Sequence, residues 1–402
     1  MTRSLPALAL AALALAGIAS ATSWGTPGVT PTSIAVGSSG PLTGEAAAAA
    51  GVLKGAAAYF AYVNARGGVN GRRIDFTYLD DADDPAQTLA NVQELVRQDG
   101  VFALFSIVGT NENLAVRDAA NAAGVPQVFS ASGATSLGRD GAAYPWTIGY
   151  PPTYAGEGEL YAKHILATAA KQAKIAVLYQ SDAYGKELLG GLRRGLGAKA
   201  RSLIVQTAGY DPAGPDVQAQ VAALRASGAN TFMIFASGAF AQEAFADADT
   251  LRWRPQIYVA SAASASSLMA LVPARAAAGA ISILWSKDPA APVFRGDAGV
   301  ALAARIAGRY LPHGTPTDGL VVAGMAEAYS FVDAVHAAGR NLTREGLMRA
   351  VTHLNEASNP FLIPGVTVRT TPASRFPITA VQLQRWHGGH WEPFGGVDSV
   401  RP

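Results

Sequence analysis

The chain of 402 residues contains no cysteine. No disulfide can brace it, so its cores must be large enough to stand alone, and no cysteine can carry an N-terminal lipid. Charge is also scarce, at 15%, and nearly balanced, with 31 Lys and Arg against 29 Asp and Glu. A net charge of +2 without a basic run gives a polyanion nothing to grip, so no nucleic-acid partner is expected. The six histidines do not fall beside serines or carboxylates in a recognisable pattern. GxxxxGK[ST], GxGxxG, HExxH and GxSxG are all absent, which leaves no catalytic motif. The expectation is therefore not an enzyme, with no cofactor and no metal.

What the chain does have is apolar material, 50% of its residues, enough to exclude disorder. Much of it is alanine, which favours helices. The length exceeds what one core usually holds, so two domains are expected. The first residues read as a secretory signal: Arg3 is a positive start, Leu5 to Ile18 an apolar segment, and Ala19-Ser20-Ala21 a small-x-small cleavage site. Residues 1–21 are then a leader, and the mature chain starts near Thr22. That segment is shorter than the roughly 20 residues a membrane span needs. No second stretch reads as long enough to span. A freely soluble periplasmic protein, not a lipoprotein, is expected.

Along the mature chain, short β-rich runs alternate with alanine-rich helical segments. Ile34 to Val36 precedes a helix over about 45–64, with Leu53, Ala56, Ala57, Phe60 and Val63 on one face. Arg73 to Leu79 precedes a helix that Asp84 caps and Pro85 opens. Val101 to Val108, Pro126 to Phe129, Lys174 to Tyr179, Thr231 to Phe235 and Ile257 to Val259 read as further strands. This βαβ order predicts an α/β fold of doubly wound parallel sheets covered on both faces.

In such sheets ligands sit beyond the carboxyl ends of the strands. FSIVGTNENLAV, starting at Phe105, ends an apolar run on Gly109-Thr110-Asn111 and then opens a helix. Glycine there lets a ligand approach the backbone, and the Thr110 hydroxyl with the first helical amides can hold an anion. The alternative is that Thr110 only caps its helix. Asp80-Asp81-Ala82-Asp83-Asp84 has the look of a cation site but lacks the glycine and distal glutamate of a calcium loop, so it reads as a loop entering a capped helix. His387-Gly-Gly-His390, between Trp386 and Trp391, reads as a hairpin turn rather than a metal site.

Taken in order, GVTPTSIAVGSSGPLTG, VNARGGVNGRRIDFTYLDDADDPAQT, GVPQVFSASGAT, PWTIGYPPTY, KIAVLYQSDAYGKE and LTREGLMRAV resemble the leucine/isoleucine/valine-binding-protein family, the substrate-binding components of ABC importers. The resemblance runs from about Gly28 to Gly396. It implies a type I periplasmic binding protein fold, two α/β lobes joined by three crossings. By that likeness residues 28–150 and 286–372 form the first lobe, and 151–285 with 373–402 the second. It further implies that Thr110 bonds a ligand carboxylate, helped by Ala131, Ser132 and Gly133, and that Tyr184 closes an aromatic ring over the ligand from the second lobe.

Two departures matter. The second-lobe carboxylate that pairs with a ligand ammonium in amino-acid-binding members is replaced by Ser261, and the tyrosine expected after GPLTG is lost near Ala50. An ammonium buried without a counter-charge costs several kcal/mol. An organic or aromatic acid is then expected as the ligand, unless Asp182 or Asp318 supplies the charge. The partners implied are a small carboxylate and the membrane permease of an importer, with the protein a monomer. A ligand-sensing module for a membrane receptor would share the cleft and the leader, and a hydrolase would need a nucleophile that the sequence does not offer.

Overall fold

A computed structural model of the chain describes residues 25–169 and 172–400. The expected leader, 1–21, lies outside the described residues. The first sheet has five parallel strands in the order β2-β1-β3-β4-β5. These are β1 (Ser33–Gly40), β2 (Arg73–Asp80), β3 (Ala103–Phe105), β4 (Gln127–Ser130) and β5 (Thr147–Gly149). The second sheet has seven strands, ordered β14-β13-β10-β9-β8-β6-β7. They are β6 (Ile175–Gln180), β7 (Ile204–Tyr210), β8 (Thr231–Phe235), β9 (Gln256–Val259), β10 (Ile281–Leu284), β13 (Ala380–His387) and β14 (His390–Ser399). A two-stranded ribbon pairs β11 (Asn355–Glu356) with β12 (Val368–Arg369).

The second sheet is mixed rather than purely parallel, because β13 runs antiparallel to β10 and β14 antiparallel to β13. Those two strands are joined by the hairpin expected at His387–His390, with Gly388 at φ 57° and Gly389 at φ 83° in the turn. Trp386 and Trp391 face each other across it, ring centroids 5.2 Å apart.

Strands buried on both faces account for the continuous apolar runs. In β8, Phe232 and Ile234 join one core of the second sheet while Met233 and Phe235 join the other, and all are fully buried. The chain leaves the first sheet after β5 and builds the second through β10. It then returns to cover the first with helices Ala298–Tyr310, Gly319–Ala338 and Arg344–Val351, and crosses again into β13. Ile306, Val322, Met325, Phe331 and Leu347 share one core with Ile34, Phe60 and Phe105.

Helix Gly319–Ala338, at 20 residues, is long and apolar enough to cross a membrane, which corrects the expectation of no second such stretch. Its apolar face is instead spent in the first-lobe core, where Val321, Val322, Met325 and Phe331 are all buried. It crosses helix Gly51–Asn64 closely: a Cβ on Gly324 would lie 1.9 Å from the Val52 carbonyl oxygen, and one on Gly55 2.0 Å from that of Val321. Only glycine fits at either point.

Candidate functional site

Between the two sheets' carboxyl ends lies a cavity of about 640 Å³, the size of site that encloses a small molecule. Thr110, Ala131, Tyr184 and Ser261 line it, as does Asp182, while Ser132, Gly133 and Asp318 do not. The structure thus brings together four of the six expected ligand residues and places the other two behind the wall.

Thr110 is not a cap. The N-cap of helix Thr110–Ala122 is Gly109, at φ 100°, and the Thr110 hydroxyl pairs with that of Ser132 at 2.8 Å. The glycine accommodates a carboxyl of the chain itself, since a Cβ there would lie 2.1 Å from Glu112 Oε2. Glu112 folds back onto its own backbone N–H, so that amide is already taken. Of the backbone groups expected to grip from the SASGAT segment, the Ala131 N–H donates to Ile107 and that of Ser132 to Ser130. Tyr154, unexpected from sequence, brings its phenol to Thr110 and Ser132. Three hydroxyls from three segments therefore meet, and each can turn its proton from a neighbour towards an anion.

Tyr184 is buried, its hydroxyl donating to Ala236 at 3.2 Å and its ring edge-on to Tyr154 at 4.8 Å. The two tyrosines, with Phe240, Leu268, Leu320 and Trp285, give the cavity an apolar wall. Near Ala50, where a tyrosine was expected, Ala46, Ala48 and Ala49 line the space instead.

The charge in this cavity is of one sign. Among the described residues its lining holds Glu45, Asp83, Asp84, Glu112, Asp182, Asp288 and Glu327, and no Lys, Arg or His. Burial pushes Glu327 up to about 8 against the pull of the Ser106 hydroxyl, which donates to it. Burial and the charge of Asp83 push Glu112 up to about 8. Asp83, although open to solvent over much of its surface, is raised to about 6 by desolvation and by Asp81 and Asp182. Carboxyls that resist ionising together are those a cation would relieve.

Ser261 is not an uncharged spot. Its backbone N–H donates to Glu157 Oε1 and its hydroxyl to Glu157 Oε2, both at 2.7 Å. Glu157 sits in the first turn of helix Tyr154–Thr168, buried behind the cavity wall, and also accepts from the Tyr161 hydroxyl at 2.7 Å. Burial raises it, and those hydrogen bonds oppose the rise. Sequence reading missed it because a single Glu after YAG looks like any helix start; acidity in a first turn was the one available signal.

Hydrogen bonds link the two lobes. Asn111 Nδ2 donates to Asp182 Oδ2 at 2.8 Å, the Thr135 N–H donates to Glu187 at 2.9 Å, and the Ser267 hydroxyl donates to Asp318. Asp318 also caps helix Gly319–Ala338 through the N–H groups of Leu320 and Val321, which keeps it from the ligand space. In the Asp80–Asp84 loop, Asp80 accepts from Leu42, Thr43 and Ala82, and Asp84 caps helix Pro85–Arg97. No group of acids and histidines suited to a metal occurs among the described residues.

Comparison with known proteins agrees with this architecture. The chain is 29% identical over 198 residues to Leu/Ile/Val-binding protein homolog 3 of Brucella melitensis, covering 49% of this chain and 52% of that protein. The match thus spans about half the length of such curated relatives. A substrate-binding periplasmic protein from Ralstonia solanacearum superposes with a TM-score of 0.78 at 26% identity, covering 88% of this chain and 97% of that one. A branched chain amino acid ABC transporter protein from Thermus thermophilus with bound valine gives 0.81 at 19% identity, over 92% and 97%, a likeness of fold. Residues 33–390 match the family described as periplasmic binding protein, and with the two-lobed fold around this cavity the chain belongs to that family.

Proposed function

We propose that the protein is the extracytoplasmic receptor of an ABC importer and closes on a zwitterion, an amino acid with a bulky apolar or aromatic side chain. The observation that carries this is a cavity between the lobes with acidic residues on its lining and no base among the described residues there. A bare carboxylate would add negative charge to that space, whereas a ligand that also carries an ammonium relieves it. The carboxylate end belongs at the Thr110 and Tyr154 hydroxyls, the ammonium towards Ser261 and Asp182, and the side chain against Tyr184, Phe240 and Trp285. A cavity of about 640 Å³ leaves space beyond a leucine, consistent with alanines in place of the expected tyrosine.

Residues 28–150 and 286–372 would move as one lobe and 151–285 and 373–402 as the other, exported after removal of 1–21 and delivering ligand to a permease as a monomer. A second reading, an organic acid, is favoured by Ser261 itself and by Glu112 and Glu327, which hold protons near neutrality and could donate to an anion.

The test is a thermal-shift screen of the mature protein against amino acids and their deaminated analogues, because a ligand bound only by the native state raises apparent stability by RT ln(1 + [L]/Kd). Shifts with amino acids and none with the analogues support the proposal. Shifts confined to the analogues replace it with the second reading.

A further inference from the structure

A buried carboxyl without a cation beside it is a costly place for a charge, and Glu157 occupies such a place. Its surroundings are Ser261, Tyr161, Tyr154 and Tyr184; among the described residues no Lys, Arg or His acts on it. Three donors converge on its two oxygens: the Ser261 N–H, the Ser261 hydroxyl and the Tyr161 hydroxyl, the last also lying 2.9 Å from the Val259 carbonyl oxygen. If bracing the turn after β9 were all that was needed, glutamine would serve with one oxygen and one N–H, and would bury no charge. The carboxylate is the form that accepts from all three donors at once. Its effect on Ser261 is specific. The hydroxyl proton is committed inward, so the oxygen that Ser261 presents to the cavity can only accept.

We propose that Glu157, acting through Ser261, is the positioning residue that makes the second lobe select a ligand's protonated amine: Ser261 offers it an acceptor, and the Glu157 carboxylate one hydroxyl behind supplies the counter-charge. This rests on the zwitterion reading above and names the residues that would enforce it. Where other members of the family are implied to place a carboxylate directly against the ammonium, this chain places a hydroxyl and backs it with Glu157.

In Glu157→Gln the side-chain amide donates to Ser261, which turns the serine proton towards the cavity and reverses what it offers. The readout is a ratio of affinities for matched pairs, leucine with 4-methylpentanoate and phenylalanine with 3-phenylpropanoate, by calorimetry on the mature protein. Wild type should prefer the amino acid, and E157Q should lower that preference at least about tenfold, the step expected for losing one charge-assisted contact. Introducing Ser261→Asp into E157Q should restore it, a rescue that a merely structural role of Glu157 does not predict. Should E157Q fail to fold, Ser261→Ala, which keeps Glu157 but removes the relaying hydroxyl, should lower the ratio likewise. An unchanged ratio in folded E157Q, or in S261A if E157Q does not fold, while wild type still discriminates, overturns the relay and leaves the zwitterion reading intact. A wild-type protein that prefers the deaminated partner, or binds neither amino acid, overturns both.

Discussion

Replacing Glu327 by glutamine should change stability in a way that depends on pH. The side chain is 1% exposed on helix Gly319–Ala338, and among the described residues its hydrogen-bond partner is the Ser106 hydroxyl, a donor that glutamine's oxygen accepts equally well. Burial raises its folded-state pKa from 4.5 to about 8. Between those values the folded protein keeps a proton that the unfolded chain has released, so the free energy of unfolding falls as pH rises, by about 1.4 kcal/mol per pH unit. The slope begins near 4.5 and flattens above about 8, and its full extent is roughly 5 kcal/mol. Solvent in the cavity that Glu327 lines screens part of this, leaving roughly 2–4 kcal/mol. Urea unfolding of wild type and E327Q at pH 5 and pH 8 is the assay. The two should be similar at pH 5, and E327Q the more stable at pH 8 by that amount. A difference that is the same at both pH values would refute the reasoning, because it would mean that Glu327 titrates alike in both states.

Other outcomes follow from the same geometry. Thr110→Ala removes one of the hydroxyls at the expected carboxylate end and should weaken ligand binding about tenfold to a hundredfold by calorimetry, the scale of a hydrogen bond to a charged group. Asn111→Ala breaks the link to Asp182 across the lobes and leaves that acid facing Asp83 and Glu112, so affinity should fall several-fold through a faster dissociation rate in stopped-flow fluorescence. Gly324→Ala drives a Cβ to 1.9 Å from the Val52 carbonyl oxygen, and should cost more than about 3 kcal/mol or prevent folding. Gly308→Ala, in helix Ala298–Tyr310 where a Cβ meets nothing within 4 Å, should instead be neutral or stabilise by up to about 1 kcal/mol in the same denaturation assay.

How far the sequence discloses the fold depends on where each residue's environment is decided. β8 and the Asp84–Pro85 helix start are local matters, a two-faced apolar run and a side-chain cap, and both stand in the structure as read. The run 101–108 reads as one strand, but only Ala103–Phe105 is, because Ser106 turns to φ 55° and ends it. β7, with half-exposed or exposed residues along most of its length, shows too little alternation to be recognised. At the site, Thr110, Tyr184 and Ser261 are legible through family likeness, and they do line the cavity. Their partners are not legible. Glu157 meets Ser261 from 104 residues away, and Glu327 meets Ser106 across 221. No local pattern encodes contacts of that span.

The central claim, that the acidic cavity takes a ligand carrying both charges, is tested most directly by calorimetric titration of the mature protein with phenylalanine, 3-phenylpropanoate and 2-phenylethylamine, which share one aromatic body and differ only in which charges they carry. Phenylalanine binding while both single-charge compounds are weaker by about thirtyfold or more is the predicted result, each lost charge-assisted contact costing on the order of 2–3 kcal/mol. Binding of 3-phenylpropanoate as tight as that of phenylalanine would contradict it, since the carboxyls of the cleft would then be indifferent to an ammonium.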